Sequence, residues 1–270
     1  MFTIPAPDPV AFNLFGIPIY KYGITMALAI FAAMIIANFL FNRINADEDF
    51  FKKDTILEYA PLIILAGIAG ARLYFCLLNS QFYLTHPIQI LDIRQGGLSI
   101  HGGIISGIIT IILISRKTKI PFKAIIDPLS ASVFAGQAIG RWGNFFNSEA
   151  FGLPVVGQQW GLFIPPNMRP PVYSDFELFH PTFFYESCLD LAGFGILLFI
   201  ISHFGKTHKG LTFFGYLILY SIIRFFIEQI RIDSALNVGN IPVAQIVSGI
   251  LFIAGICGTL HILAKNKSGI

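Results

Sequence analysis

Apolar runs of about 20 residues recur along the whole chain, separated by polar connectors. Their cores are Tyr22–Phe41, Leu57–Leu78, Gly97–Ser115, Ala124–Gly140, Phe183–Ser202, Gly210–Ile230 and Ile241–Leu263. A helix of that length spans a bilayer's hydrocarbon core of about 30 Å. Backbone inside lipid must satisfy itself as helix or closed barrel, and the period-two alternation of a barrel is absent here. The pattern predicts an all-α polytopic membrane protein of about seven transmembrane helices, read as one integral-membrane domain over 1–270. The fourth run is the shortest, and Asp127 followed by Pro128 reads as its helix start. The longest connector, Arg141 to Thr182, joins the fourth run to the fifth.

Composition strengthens this picture. The chain is 55% hydrophobic and 12% charged, whereas a soluble domain carries about 25% charged residues. The first run is too long for the apolar core of a signal peptide, and no basic region precedes it beyond Lys21, so it is expected to stay in the membrane. Basic residues set the orientation. With the N-terminus outside, eleven fall in cytoplasmic segments (Arg43, Lys52 and Lys53; Arg116, Lys117, Lys119 and Lys123; Lys206 and Lys209; Lys265 and Lys267). The outer segments hold five: Lys21, Arg94, Arg141, Arg169 and Arg231. The expectation is an outside N-terminus and a cytoplasmic C-terminus. The net charge of +3 calls for no nucleic-acid partner, because loop cations facing anionic lipid account for it. Cys76, Cys188 and Cys257 each fall within a predicted helix without pairing or metal spacing, and read as small apolar groups.

Polar residues inside the runs then need a reason, since a charge near the bilayer centre costs about 2.5–3.5 kcal/mol on the mildest scale. On the seven-helix topology they fall at one depth. Tyr22 begins the first helix, Arg72 lies late in the second, and His101 sits about one turn into the third. The fourth delivers Arg141 at its exit; the sixth carries Tyr220, Arg224 and Glu228 on one face, with Arg231 just beyond. Each has a bland reading. An interfacial arginine can snorkel, Arg224 and Glu228 suit a four-residue ion pair, and a lone histidine often only packs. The glycines about His101 allow close helix approach, as in Gly103–Gly107, and clear room beside the imidazole. Asn144, Asn147 and Glu149 can bond loop backbone. Common depth favours a site instead: Arg141 and Arg224 together would suit a lipid phosphate at headgroup level.

The stretch GRWGNFFNSEAFG, from Gly140 to Gly152, carries a resemblance. It matches Gly-Arg-x-Gly-Asn-Phe-x-Asn-x-Glu-x-x-Gly, the signature of the prolipoprotein diacylglyceryl transferase family, at every fixed position. GGLSIHGG, HPTFFYE (His180 to Glu186) and RFFIEQIRID (Arg224 to Asp233) resemble the family's other hallmark segments in the same order. The resemblance spans nearly the whole chain. It implies a seven-helix protein of the bacterial cytoplasmic membrane that moves the diacylglyceryl group of phosphatidylglycerol onto the lipobox cysteine of a preprolipoprotein. Glycerol phosphate would leave and a thioether form, with no metal or organic cofactor. Residue by residue, His101, Arg141, Asn144, Glu149, Gly152, Tyr220, Arg224, Glu228 and Arg231 fall on functional positions, as does Tyr22 in generally similar surroundings. Two positions depart: Phe183 stands where many relatives carry glutamine, and Leu153 where basic or polar residues are frequent.

The implied chemistry sorts these residues. Fixed cations stabilise the charge gained by the departing phosphate, which falls to Arg141 and Arg224. A free thiol of pKa about 8.5 needs help to ionise, and histidine near 6.5 makes His101 the candidate base. Glu149 is the second candidate. Tyr22, Asn144, Glu149, Gly152, Tyr220, Glu228 and Arg231 are expected to bind substrate, within reach of the outer leaflet. A secondary transporter would instead place its charges near the midplane between internal repeats, and a membrane scaffold would not need Arg141, Arg224 and His101 at matching depth. A different phospholipid-using transferase is separated only by the signature.

Overall fold

The computed structural model describes residues 2–93, 96–157, 160–232, 237–239 and 241–267. Arg94 and Asp233 lie outside the described residues, as does the side chain of Lys267. The chain opens with strands β1 (Phe2–Ile4), β2 (Val10–Leu14) and β3 (Ile17–Tyr20), then runs into α1 (Lys21–Asn45) and α2 (Thr55–Leu78). A short α3 (Ser80–Thr85) precedes α4 (Ile100–Thr118) and α5 (Phe122–Phe146). Strands β4 (Trp160–Phe163) and β5 (Leu178–Phe179) follow, then α6 (Thr182–Phe204) and α7 (Leu211–Glu228). The hairpin β6 (Asn237–Val238) and β7 (Ile241–Pro242) leads into α8 (Val243–Lys267).

Among the described residues, the long helices number seven and fall on the seven apolar runs. All but α5 are long and apolar enough to cross a membrane. Their outward faces expose Phe31, Leu65, Phe199 and Ile253, as lipid-facing surfaces do. The protein is an all-α polytopic membrane protein, with small strand pairs added at one end.

The exception, α5, is the hub, packed against α1, α4, α6 and α7. From Ala124 to Ser132 it is buried throughout. A helix walled by other helices needs small surfaces more than apolar ones. Thus Gly136 lies so close to α1 that a Cβ there would come within 3.2 Å of both the Ala29 carbonyl and the Ala33 methyl. Asp127 does not begin this helix, which starts at Phe122. Its carboxylate instead accepts from the amides of Gly210 and Phe213, at 2.5 and 2.9 Å, and caps α7. Pro128 is tolerated inside the helix because the Ala124 carbonyl it leaves without a donor is approached by the buried Asn45 amide at 3.5 Å.

Consecutive long helices alternate in direction, so the starts of α1, α4, α6 and α8 and the ends of α2, α5 and α7 share one end of the bundle. The signature segment continues as helix past Gly140, so Arg141 lies within the last turns of α5 rather than at its exit. Beyond it, the chain folds into a small layer on this end. There β1 pairs parallel with β4 (Phe2 opposite Trp160), and β5 pairs antiparallel with β4 (Phe179 opposite Leu162). Phe151, Leu162, Ile164, Phe179 and Phe183 form its core.

At the other end, polar groups are knotted together. Asp54 accepts from the amides of Asn38 and Asn42 at 2.7 and 2.9 Å, which hold its carboxyl below the usual carboxylate range. Cys76 is buried, while Cys188 and Cys257 are exposed.

Candidate functional site

The last turns of α5 and the first turns of α6 face each other with opposite charges. Arg141 Nη2 forms an ion pair with Glu186 Oε2 at 2.7 Å, and its Nε donates to Asp190 Oδ2 at 3.5 Å. Glu186 and Asp190 are one helical turn apart on α6 and almost wholly buried. The other oxygen of Glu186 is 3.4 Å from Nη1 of Arg231, just past α7. One carboxylate thus links an arginine of α5 to one just past the end of α7. Arg224 has its own partner, Glu228 on the next turn of α7, at 2.6 Å. The arginine side chains keep 19, 20 and 12% of their surface open, at Arg141, Arg224 and Arg231 respectively. Pairing offsets the cost of holding these charges at membrane depth, while the open faces leave room for an anion.

A cavity of about 390 Å³ lies against Arg141, between α1 and α5. Tyr22, Gln137 and Asn144 give it polar groups near the arginine; Met26, Ala29, Ile30 and Ala33 continue it as an apolar groove. The groove exists because α5 presents Gly136 and Gly140 there. One turn on, Gly143 lets the Tyr22 ring approach the helix closely, since a Cβ would meet that ring at 3.0 Å. Asn144 donates to Glu149 Oε1 at 3.0 Å, which ties the cavity to the loop beyond α5. That loop turns tightly, with Ser148 and Ala150 both at positive φ.

The remaining predicted residues divide in two. Tyr220 stacks on Tyr216 with ring centroids 5.8 Å apart, and the Tyr216 hydroxyl is 3.5 Å from Gln137 of the cavity wall. His101, in the first turn of α4, is exposed and lies 6.2 Å from the Tyr74 ring, while the adjacent Ile100 lines the cavity. Gly152 acts through its backbone: its amide donates to His180 and it bridges to Arg231, and a Cβ would press on His180, Thr182 and Ile230 at 2.9–3.0 Å. It clamps the loop to α6 and α7 rather than lining the cavity. The room beside His101 is also spoken for. The tight approach of α4 to α2 is made at Gly102, where a Cβ would lie 2.3 Å from the Gly70 carbonyl, whereas Gly107 has nothing within 4 Å.

The sequence profile described as "Prolipoprotein diacylglyceryl transferase" matches residues 9–261. The chain belongs to this family. It is 40% identical over 270 residues to the phosphatidylglycerol–prolipoprotein diacylglyceryl transferase of Acaryochloris marina, covering 99% of this chain and 94% of the relative. The protein of the same name from Bacillus cytotoxicus is 37% identical over 268 residues, with 99 and 95% covered. That from Staphylococcus saprophyticus is 40% identical over 259 residues, with 95 and 90% covered.

Within the family's signature segment, Arg141 and Asn144 border the cavity, and Glu149 is held by Asn144. Phe183 is 3% exposed and stacks on Phe145 at 4.8 Å and edge-on to Trp142 at 5.5 Å. Glu186 and Asp190 received no role from the sequence. Two acids four residues apart in an otherwise apolar segment were the available signal.

Proposed function

We propose that this protein transfers the diacylglyceryl group of phosphatidylglycerol to the lipobox cysteine thiol of preprolipoproteins, the first step of bacterial lipoprotein maturation. The relatives' names support the reaction and both substrates. The observation that carries the reading in this chain is the amphiphilic cavity. A guanidinium, a phenol and two amides stand at one end of a groove whose remainder is apolar. A phospholipid has the same polarity, with phosphate at the fork and acyl chains below.

In this reading the thiol loses its proton to His101 or to Glu149, and the sulfur attacks the glyceryl carbon bonded to the phosphate oxygen. A C–S bond forms, the C–O bond breaks, and glycerol phosphate leaves with an added negative charge. Arg141 and Arg224 stabilise that charge through donors already in place; Glu186, Asp190 and Glu228 hold the forks. Tyr22, Asn144, Glu149, Tyr220 and Arg231 order the headgroup, and Gly152 fixes the loop that carries Glu149. The whole chain, 1–270, acts as one integral domain of the bacterial cytoplasmic membrane, with the site at its outer face.

The deciding experiment incubates purified protein with phosphatidylglycerol and a lipobox peptide and follows the peptide by mass spectrometry. A diacylglyceryl mass gain on the cysteine is expected, and an unmodified peptide would refute the reading. In the same assay His101→Gln should lower turnover about 10²–10⁴-fold if His101 is the base; full activity would transfer that role to Glu149. Orientation has its own test. A cysteine replacing Met168, exposed in the connector between α5 and α6, should react with an impermeant thiol reagent in intact cells, and one replacing Lys119 should not. The reverse would place the site on the cytoplasmic side.

A further inference from the structure

An amide inside a membrane helix needs partners, and Gln137 of α5 has one on its oxygen only. The Tyr216 hydroxyl donates to Gln137 Oε1 from α7, at 3.5 Å. Tyr216 is held in turn by the Phe134 ring at 4.8 Å and the Tyr220 ring at 5.8 Å. The two N–H donors on Nε2 have no partner among the described residues, and the side chain borders the cavity of the candidate site. The wall around them is apolar. Gly136 and Gly140 flank Gln137 on its own helix, and Met26, Ala29, Ile30 and Ala33 line the α1 side. A donor on such a wall is costly unless a ligand brings the acceptor.

The depth of this amide selects the acceptor. Gln137 precedes Arg141 by one turn on the same face, which puts it about 6 Å further from the end of α5. A phospholipid whose phosphate meets Arg141 has its glyceryl carbons and ester carbonyls next below, and its headgroup on the other side of the phosphate. Asn144, beyond Arg141, is level with the headgroup and already spends a donor on Glu149. We propose that Gln137 donates to an ester carbonyl of the diacylglyceryl group, as a substrate-positioning residue that selects ester-linked over ether-linked lipid. The inference rests on the reading of this cavity as the phospholipid site. The reacting glyceryl carbon lies between phosphate and esters, so holding both sides keeps the C–O bond that breaks aligned for the incoming sulfur. Tyr216 occupies the amide oxygen and so turns the nitrogen toward the lipid.

The test uses purified full-length protein in neutral detergent, phosphatidylglycerol with two ester links, and its dialkyl ether analogue. Lipid retention is read by native mass spectrometry, and transfer by the mass gain of a lipobox peptide. The wild type should hold the diester about tenfold more tightly than the diether, the usual worth of one neutral hydrogen bond. Gln137→Met, close in length, should hold the two lipids alike, with the diether retained as in the wild type and the melting temperature unchanged. Equal retention of both lipids by the wild type would overturn the proposal, and that arm needs no variant to fold. A variant that loses both lipids by the same factor would also overturn it, because a headgroup contact or a packing role moves both. Retention is read without transfer. Ester preference with no transfer would refute the proposed reaction and leave the contact standing, whereas transfer with no ester preference would do the reverse.

Discussion

Arg72 and Arg141 sit at the same end of the bundle, each late in a long helix, and they meet opposite fates. Arg72 is 6% exposed and donates to five backbone carbonyls, those of Gln89, Ile90, Asp92, Gly96 and Gly97, at 2.6–3.0 Å. Its guanidinium also lies 5.2 Å from the Tyr83 ring. The α3-to-α4 connector is wound around this one side chain. Arg141 instead meets two carboxylates on a neighbouring helix and keeps a face on a cavity. The difference teaches how to read an arginine at membrane depth. Neutral carbonyls that occupy the fork all round use it to organise a loop. Acids on one side hold the fork in place and leave its other side for a ligand.

The harshest way to break the comparison is to remove the acids. Glu186→Ala leaves Arg141 and Arg231 without their shared carboxylate, and losing one partner of a buried pair costs about 3–5 kcal/mol. A large fall in thermal midpoint is expected, with Glu186→Gln milder. An unchanged midpoint for Glu186→Ala would mean the bridge is not holding the helices. Next comes Arg141→Lys, which keeps the charge and loses the planar two-point contact. Transfer to a lipobox peptide should fall about 10²–10³-fold per folded protein, the usual cost of one lost transition-state donor. A near-wild-type rate would reduce Arg141 to a headgroup anchor. The smallest effect is expected from Arg72→Lys. One ammonium cannot serve five carbonyls, so stability should drop by about 2–3 kcal/mol. Proteolysis within the connector should rise, while transfer per folded molecule stays nearly intact. A transfer loss as deep as that of Arg141→Lys would erase the distinction between the two arginines.

Legibility in the sequence followed the range of the interaction. Arg224 and Glu228 were readable as a pair because four residues on a helix define one face, and the structure joins them at 2.6 Å. Arg141, Asn144 and Glu149 were readable from a contiguous signature. Glu186 and Asp190 were not, because their value lies in facing α5 from α6 across about 45–50 positions of sequence, and nothing local to α6 announces the partner. Gly152 belongs to the same contiguous signature, and its backbone junction with His180 and Arg231 is visible only in the structure. The strand layer was missed for a similar reason: β1 pairs with β4 from the far side of five helices.

Hydropathy alone determined that seven helices form and roughly where each begins and ends, because burial in lipid is a sum over one segment and needs no neighbour. It also put the polar residues at a common depth, since rise per residue is fixed. Only the tertiary structure decided which helix stands at the centre, which acid holds which arginine, and that Asp127 caps α7 rather than its own helix. Those are relations between segments. The weak side-chain preferences along one helix do not encode them, and close packing of small residues at helix crossings does.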